Sequence, residues 1–356
     1  MEHFEAMLEP YSRMHDLYQT HYRTSIRMHC ENARVRYQEQ GKRFASTLRL
    51  LGSLRNTERI PDVLPREVRQ AILDGVASLI GGKVITHTIG QYVYRTDGAQ
   101  VRICIDAEDT GGIRIPHLLE WSDVYFKTNY WTGRKYPAKV LPLANVNPRV
   151  LPRQAELRSY RQARADLDLF GFFRVWGRIE HNLALFEALA QLRCRKKLLA
   201  YLISEDKTKE IQRLEKAGVS WTTRPLPLKE LWDLAAGARL NIVRHGVEDC
   251  VPWRMTDMLA MGHCAVLDYQ ARTQWHVPLV ENVHYLSLDV SPDNPLQPHE
   301  FAGRVVERVG SWLGTKYLIE SVSANAAAYF DDHLTPGSMG RHIVENCRRS
   351  ARLQTS

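Results

Sequence analysis

The chain of 356 residues has no apolar run approaching the ~20 residues of a membrane span. Its opening, MEHFEAMLEPYSRMHD, lacks the apolar core of a secretory signal, so a cytoplasmic protein is expected. The six cysteines, at positions 30, 104, 194, 250, 264 and 347, form no Cys-x-x-Cys pair. With Cys104 and Cys264 inside apolar runs, neither a zinc site nor a disulfide framework is suggested, and plain thiols are expected. Neither a Gly-x-Gly-x-x-Gly fingerprint nor a P-loop occurs, which argues against a dehydrogenase or a kinase. Internal repeats, low-complexity segments and long Lys/Arg blocks are also missing, so no nucleic-acid-binding tail is indicated.

Positive charge is in excess: 48 Lys and Arg against 40 Asp and Glu leave a net +8. That sign favours anionic partners, among them a nucleotide diphosphate, an anionic membrane surface or nucleic acid, without choosing between them. At 44% hydrophobic and 25% charged the composition is that of a globular protein, long enough for two domains with their own cores.

Along the chain, residues 1–60 read as mostly helical from the stripe Met7, Leu8, Tyr11, Met14, Leu17 and Tyr18. From Pro61 the pattern becomes α/β: a helix over 68–79, then KVITHTIGQYVY and VRICIDAED as strands around a Thr96-Asp97-Gly98 turn. The second strand ends in Asp106, Glu108 and Asp109 before Gly111-Gly112. Carboxylates at a strand end are where such a fold keeps a catalytic acid or base, although the same acids could cap the next helix. KVLPLANVNP is a further strand, and Pro148, Pro152 and the arginine-rich segment to Asp168 read as a linker. Strand-turn-helix units follow, from LFGFFRVWGRIEHNLALFEALAQL through LLAYLI, VSWTTRPLP, LKELWDLAAG and LNIVRHG, and together they read as one Rossmann-like domain. A helix over Ser338 to Arg352 closes the chain.

The richest stretch is Arg244 to Asp268, RHGVEDCVPWRMTDMLAMGHCAVLD. A loop with Gly246, Glu248 and Asp249 runs through Pro252 into a helix carrying Arg254 and Asp257, Gly262 ends the helix, and Cys264-Ala-Val-Leu267 reads as a buried strand. Its charges gather where a parallel α/β sheet binds ligands, at strand carboxyl ends and helix amino ends.

Asp249 and Asp257, with seven residues between them and a Gly-x-x-Ala-Val step after them, resemble the donor-sugar site of nucleotide-sugar glycosyltransferases of the GT-B fold, group 1 or exostosin-like. Relatives usually have two glutamates there. The resemblance implies two Rossmann-like domains facing a cleft, to which this chain adds a helical amino-terminal region. It implies an acceptor-side domain over 1–155, a nucleotide-sugar domain over 156–325 and a helical tail over 326–356. It also implies that Asp249 meets the donor sugar and Asp257 the ribose, with Arg254 beside them. The Gly177-Arg178 turn resembles the family's diphosphate grip, which here would fall on Arg174, Arg178 and Arg244, since His181-Asn182 stand where the commoner branch has a lysine. Asp109, with Asp106 as the fallback, would face the acceptor hydroxyl.

The function so implied is transfer of a sugar from a nucleotide-diphosphate donor, such as a UDP-sugar, to a glycan or lipid-linked acceptor in glycan or cell-envelope polysaccharide synthesis. The nucleotide sugar is a co-substrate. No cofactor is expected, and no metal, for want of an Asp-x-Asp motif to hold one beside the diphosphate. A peripheral association with an anionic membrane surface remains open. So do two alternatives: a modified base in DNA as the acceptor, and a non-catalytic sugar-nucleotide or glycan-binding module.

Overall fold

The computed structural model describes residues 82–84, 89–96 and 99–355, the last with short omissions at 109, 114, 148–149 and 151–152. The expected helices of residues 1–60 and 68–79 lie outside the described residues, and so does Asp109. The chain divides into two compact units, one comprising the residues up to Arg153 and from His333 onward, the other Gln154–Asp332.

The first unit is built on a five-stranded sheet in the order β1 (Gly82–Val84), β2 (Ile89–Thr96), β3 (Ala99–Asp106), β4 (Val124–Lys127) and β5 (Val140–Pro142). KVITHTIGQYVY, expected as one strand, forms two: β1 turns back on β2, and β2 pairs antiparallel with β3 from Ile89↔Asp106 to Thr96↔Ala99. From β3 onward the sheet is parallel. A short helix, α1 (Pro116–Trp121), makes the β3 to β4 crossover, as a parallel pair requires.

At the carboxyl edge of this sheet Asp106 and Lys127 stand in register on β3 and β4, both fully buried, with the ammonium 2.8 Å from Oδ2. Tyr125 Oη donates to the same oxygen at 2.7 Å, and Glu108 N–H caps Oδ1 at 2.9 Å. This is a correction to the expected role of Asp106. A carboxylate with both oxygens taken by donors and no exposed surface is not placed to accept a proton from a substrate; it ties β3 to β4 instead.

The second unit opens with α2 (Gln154–Ser159), inside the segment expected as a linker, and then forms a six-stranded parallel sheet. Its strands are β6 (Leu167–Arg174), β7 (Lys196–Tyr201), β8 (Ser220–Thr222), β9 (Ala238–Val243), β10 (Cys264–Leu267) and β11 (Leu286–Ser287). Their order across the sheet is β8-β7-β6-β9-β10-β11, so the chain winds outward from β6 one way, returns to β9 and winds outward the other way. This is the doubly wound Rossmann order. The connecting helices are α3 (Ile179–Gln191), α4 (Thr208–Lys216), α5 (Leu228–Ala236) and α6 (Trp253–Met261); α7 (Pro298–Leu313) and α8 (Lys316–Tyr329) follow β11, and α9 (Pro336–Thr355) belongs to the first unit.

Right-handed crossovers place helices on both faces once the winding reverses. On one face Leu240 and Ile242 of β9 share a core with Leu185 and Leu189 of α3 and Val305 and Val309 of α7. Their in-between neighbour Asn241 is buried and points the other way. There α6 packs close against α8, and Gly262 allows it: the glycine ends α6 at φ 63°, and a Cβ on it would stand 3.1 Å from the methyl of Ala327.

Removing one partner of the Asp106–Lys127 pair leaves an uncompensated buried charge. Lys127→Ala is expected to destabilise the protein by about 3 to 5 kcal/mol in urea titration, and the double variant Asp106→Asn, Lys127→Met by less. Equal losses in the two would show that volume, not charge, holds this edge.

Candidate ligand site at the carboxyl edge of the six-stranded sheet

The winding reverses between β6 and β9, and in open α/β sheets the crevice outside the strand ends at such a point receives the ligand. The loops that meet there are 175–178 after β6, 244–252 after β9 and 268–272 after β10. Four of the six donor residues named from the sequence come to this edge: Arg174, Arg178, Arg244 and Asp249.

After β6 the chain turns through Gly177 at φ 72°, a left-handed conformation that glycine adopts without strain, and enters α3 with Arg178 as its cap. Asn182, fully buried in the first turn of α3, donates to the Trp176 carbonyl at 2.8 Å and fixes the turn. Arg178 thus projects over the helix start: its guanidinium lies 4.6 Å from the centre of the Tyr269 ring and its Nη2 3.3 Å from Asp249 Oδ1.

After β9 and β10 the chain is tied down by a carboxylate the sequence reading did not single out. Asp268 is buried, 2.6 Å from Arg244 Nε, and accepts from the backbone N–H of His245 at 2.7 Å. The His245 ring sits against both its oxygens, Nδ1 at 3.0 and 3.1 Å. Burial by itself would raise the Asp268 carboxyl, but Arg244, then His245, outweigh it and bring it down to about 2. Asp249 is held by the other side of the cluster, with Arg178, Arg272 Nε at 3.1 Å and His245 Nε2 at 3.5 Å around it. Carboxylates, arginines and a histidine from three loops therefore form one connected network. The available signal was the position of Asp268 directly after an apolar strand, the same rule that picked Asp106.

The remaining two residues turn inward, which corrects their expected placement. Asp257 is buried and accepts a hydrogen bond from the indole N–H of Trp232 on α5 at 3.1 Å, so it faces the α5–α6 packing and not a ligand. Arg254 reaches under the sheet to the Phe172 carbonyl, its guanidinium between the Phe170 and Phe172 rings at 5.5 and 5.6 Å. Burial lowers its pKa to about 10, with Asp257 pulling the other way. Its Nε and Nη2 are buried without a hydrogen-bond partner.

An Asp-x-Asp pair occurs as Asp166-Leu167-Asp168, away from the edge where the diphosphate grip was expected. Asp168 lies at the start of β6, the opposite end of the strand from Arg174, and pairs with Arg195 and Arg239. Among the described residues no group of three or more His, Cys, Asp or Glu side chains gathers as a metal site. No described helix is long and apolar enough to cross a membrane, and the five described cysteines are unpaired.

No family model matches the sequence, and no curated protein matches it. Among solved structures the chain resembles the carboxyl-terminal domain of a glycosyl transferase group 1 family protein, LpcC, from Francisella tularensis. The identity is 10%, over 51% of this chain and 93% of that one, with a TM-score of 0.37. It also resembles Anabaena HepE in complex with UDP and glucose, at 12% identity over 65% of each chain, just under two thirds of HepE, with a TM-score of 0.44. MurG of Acinetobacter baumannii is 14% identical over 69% of this chain and 66% of that one, with a TM-score of 0.40. Likenesses this distant carry no weight for the chemistry. The network at the sheet edge has to carry it.

The Asp268 carboxyl adds stability that is fully present above its unfolded pKa near 3.8 and is lost as the pH falls toward about 2. The shift corresponds to about 2 kcal/mol. Urea midpoints measured from pH 5 to 2 are expected to fall more steeply for the wild type than for Asp268→Asn. Identical slopes would mean that Asp268 does not carry this linkage.

Proposed function

We propose that the chain is a glycosyltransferase of the GT-B kind that binds the diphosphate of a nucleotide sugar at the reversal between β6 and β9. The observation that carries this reading is the delivery of Arg178 and Arg244 to one edge by the two strands that flank the reversal, with Asp249 between Arg178 and Arg272. Arg178 adds its fork to the N–H groups and dipole of the α3 start, which already favour an anion. Held arginines lose little freedom on meeting phosphate oxygens, so their hydrogen bonds are pre-organised.

In the reaction the bond from the anomeric carbon to the diphosphate oxygen breaks and the acceptor hydroxyl oxygen takes its place, losing a proton. Negative charge grows on the departing diphosphate, and fixed cationic donors aimed at it stabilise the transition state more than the ground state. Asp249, an acceptor-only group beside Arg178, is suited to the hydroxyls of the donor sugar. Asp109, which lies outside the described residues, is assigned to face the acceptor hydroxyl. The acceptor is a glycan or a lipid-linked sugar.

UDP and UDP-glucose are the first probes, each read by thermal shift and titration. Arg178→Lys and Arg244→Lys are expected to slow donor turnover by about tenfold or more while affinity changes less, because lysine keeps the charge and loses the fork. Asp249→Asn is expected to weaken UDP-glucose and leave UDP unchanged, whereas Asp257→Asn lowers the unfolding midpoint and leaves both ligands unchanged. Wild-type turnover and affinity in both lysine variants would put the diphosphate elsewhere.

A further inference from the structure

Beside the arginine and aspartate network, on the β7 side of the same edge, lies an aromatic surface around Arg174, a residue the sequence suggested for the diphosphate grip but which the proposed donor site does not use. Trp176 is 54% exposed, and Ile203, just past the end of β7, is 46% exposed. Between Trp176 and β7 stands Arg174, its guanidinium 5.7 Å from the Trp176 ring and 5.9 Å from the Tyr201 ring, and Tyr201 in turn leans on Phe172 at 6.4 Å. Arg174 makes no ion pair with a described carboxylate, unlike Arg178 and Arg244.

This surface is rigid. Val175 is buried and its N–H donates to the Tyr201 carbonyl at 2.9 Å, the Trp176 carbonyl takes the Asn182 amide, and the Ile179 N–H returns to the Gly177 carbonyl at 2.8 Å. A large indole is thus held out to solvent on a turn tied to β7 on one side and to α3 on the other. An exposed tryptophan on a fixed turn offers stacking area at little entropic cost. Arg174 supplies several donors in one plane next to the ring, which suits a pyranose, with an apolar C–H face and a rim of hydroxyl oxygens.

We propose that Trp176, flanked by Arg174, is a stacking platform for a pyranose ring of the acceptor glycan, the C–H face of the sugar on the indole and its hydroxyl oxygens on the guanidinium. This rests on the glycosyltransferase reading and deepens it by giving the acceptor's sugar ring a binding surface.

The test uses saturation-transfer NMR on the full chain without nucleotide, with methyl glycosides of glucose, galactose, mannose and N-acetylglucosamine as probes, so that it does not depend on donor binding. For at least one glycoside, saturation is expected on the ring protons of a single face in the wild type and in Trp176→Phe. Trp176→Ala is expected to weaken that binding by about tenfold, close to what a lost contact of ~1.4 kcal/mol gives. Its unfolding midpoint should match the wild type, since so exposed a ring adds little to the core. Added UDP should leave the sugar signal in place. The platform is refuted by three results: no transfer to any glycoside in the wild type, a signal indifferent to Trp176→Ala, or displacement of the sugar by UDP, which would mark the surface as a nucleobase site. Binding of glycosides with no donor turnover would leave the platform standing and remove the transferase reading.

Discussion

Burying the Asp268 carboxylate is the constraint from which the carboxyl edge of the second unit follows. An ion stripped of water costs several kcal/mol unless fixed donors replace that water. Here donors come from just past the neighbouring strand, the guanidinium of Arg244 and the backbone and ring of His245, and from the N–H of Tyr269 that follows the carboxylate itself. Satisfying one carboxylate therefore fixes the ends of β9 and β10 against each other. It also fixes Tyr269, whose ring stacks on Phe301 at 5.4 Å and supports Arg178 at 4.6 Å, so the position of Arg178 descends from Asp268 through one aromatic ring.

The loop after β9 shows the same logic in its backbone. Glu248 and Asp249 both take left-handed conformations, at φ 53° and 56°, without the freedom of glycine. Such residues persist where the surroundings over-determine them. Asp249 is clamped at both ends: its carbonyl accepts the Arg272 N–H at 2.8 Å and its carboxylate the Arg272 Nε. Gly246 lets the loop close, since a Cβ there would stand 2.5 Å from the Cys250 sulfur. The strained loop aims one carboxylate at Arg178.

What the sequence could reveal follows from the range of each interaction. The second unit was legible because its strands and helices are set by local pattern: LFGFF and CAVL as buried strands, Gly262 as a helix stop, Gly177-Arg178 as a turn. The first unit was read less well, because KVITHTIGQYVY breaks into β1 and β2 only when β2 finds partners on both sides. The direction of a side chain was the least legible property. Asp257 shares with Asp249 a spacing and a charge, yet one faces Trp232 in the core and the other an arginine at the edge. Asp106 likewise looked like a free acid at a strand end until Lys127, 21 residues on, came into register with it. Pairing across strands is decided by tertiary packing, and no spacing rule along one strand contains it.

The balance of donors and acceptors gives the edge its character. Asp249 and Asp268 neutralise much of the charge on Arg178, Arg244 and Arg272, which keeps these arginines in place when no ligand is bound. Neutralised charge does not mean exhausted hydrogen bonding, because a guanidinium has five N–H groups and a single carboxylate uses one or two. Arg178 Nη1 is buried beside the loop, next to the Tyr269 hydroxyl with which the Arg178 side chain interacts. In the proposed donor complex, an anion with several oxygens would meet the remaining N–H groups of these guanidinia without breaking the pairs that position them. A diphosphate could therefore bind by completing the network. The carboxylates would then limit affinity for anions in general and favour a ligand that also carries hydroxyl groups for Asp249 to accept from, which is the difference between a phosphate and a nucleotide sugar.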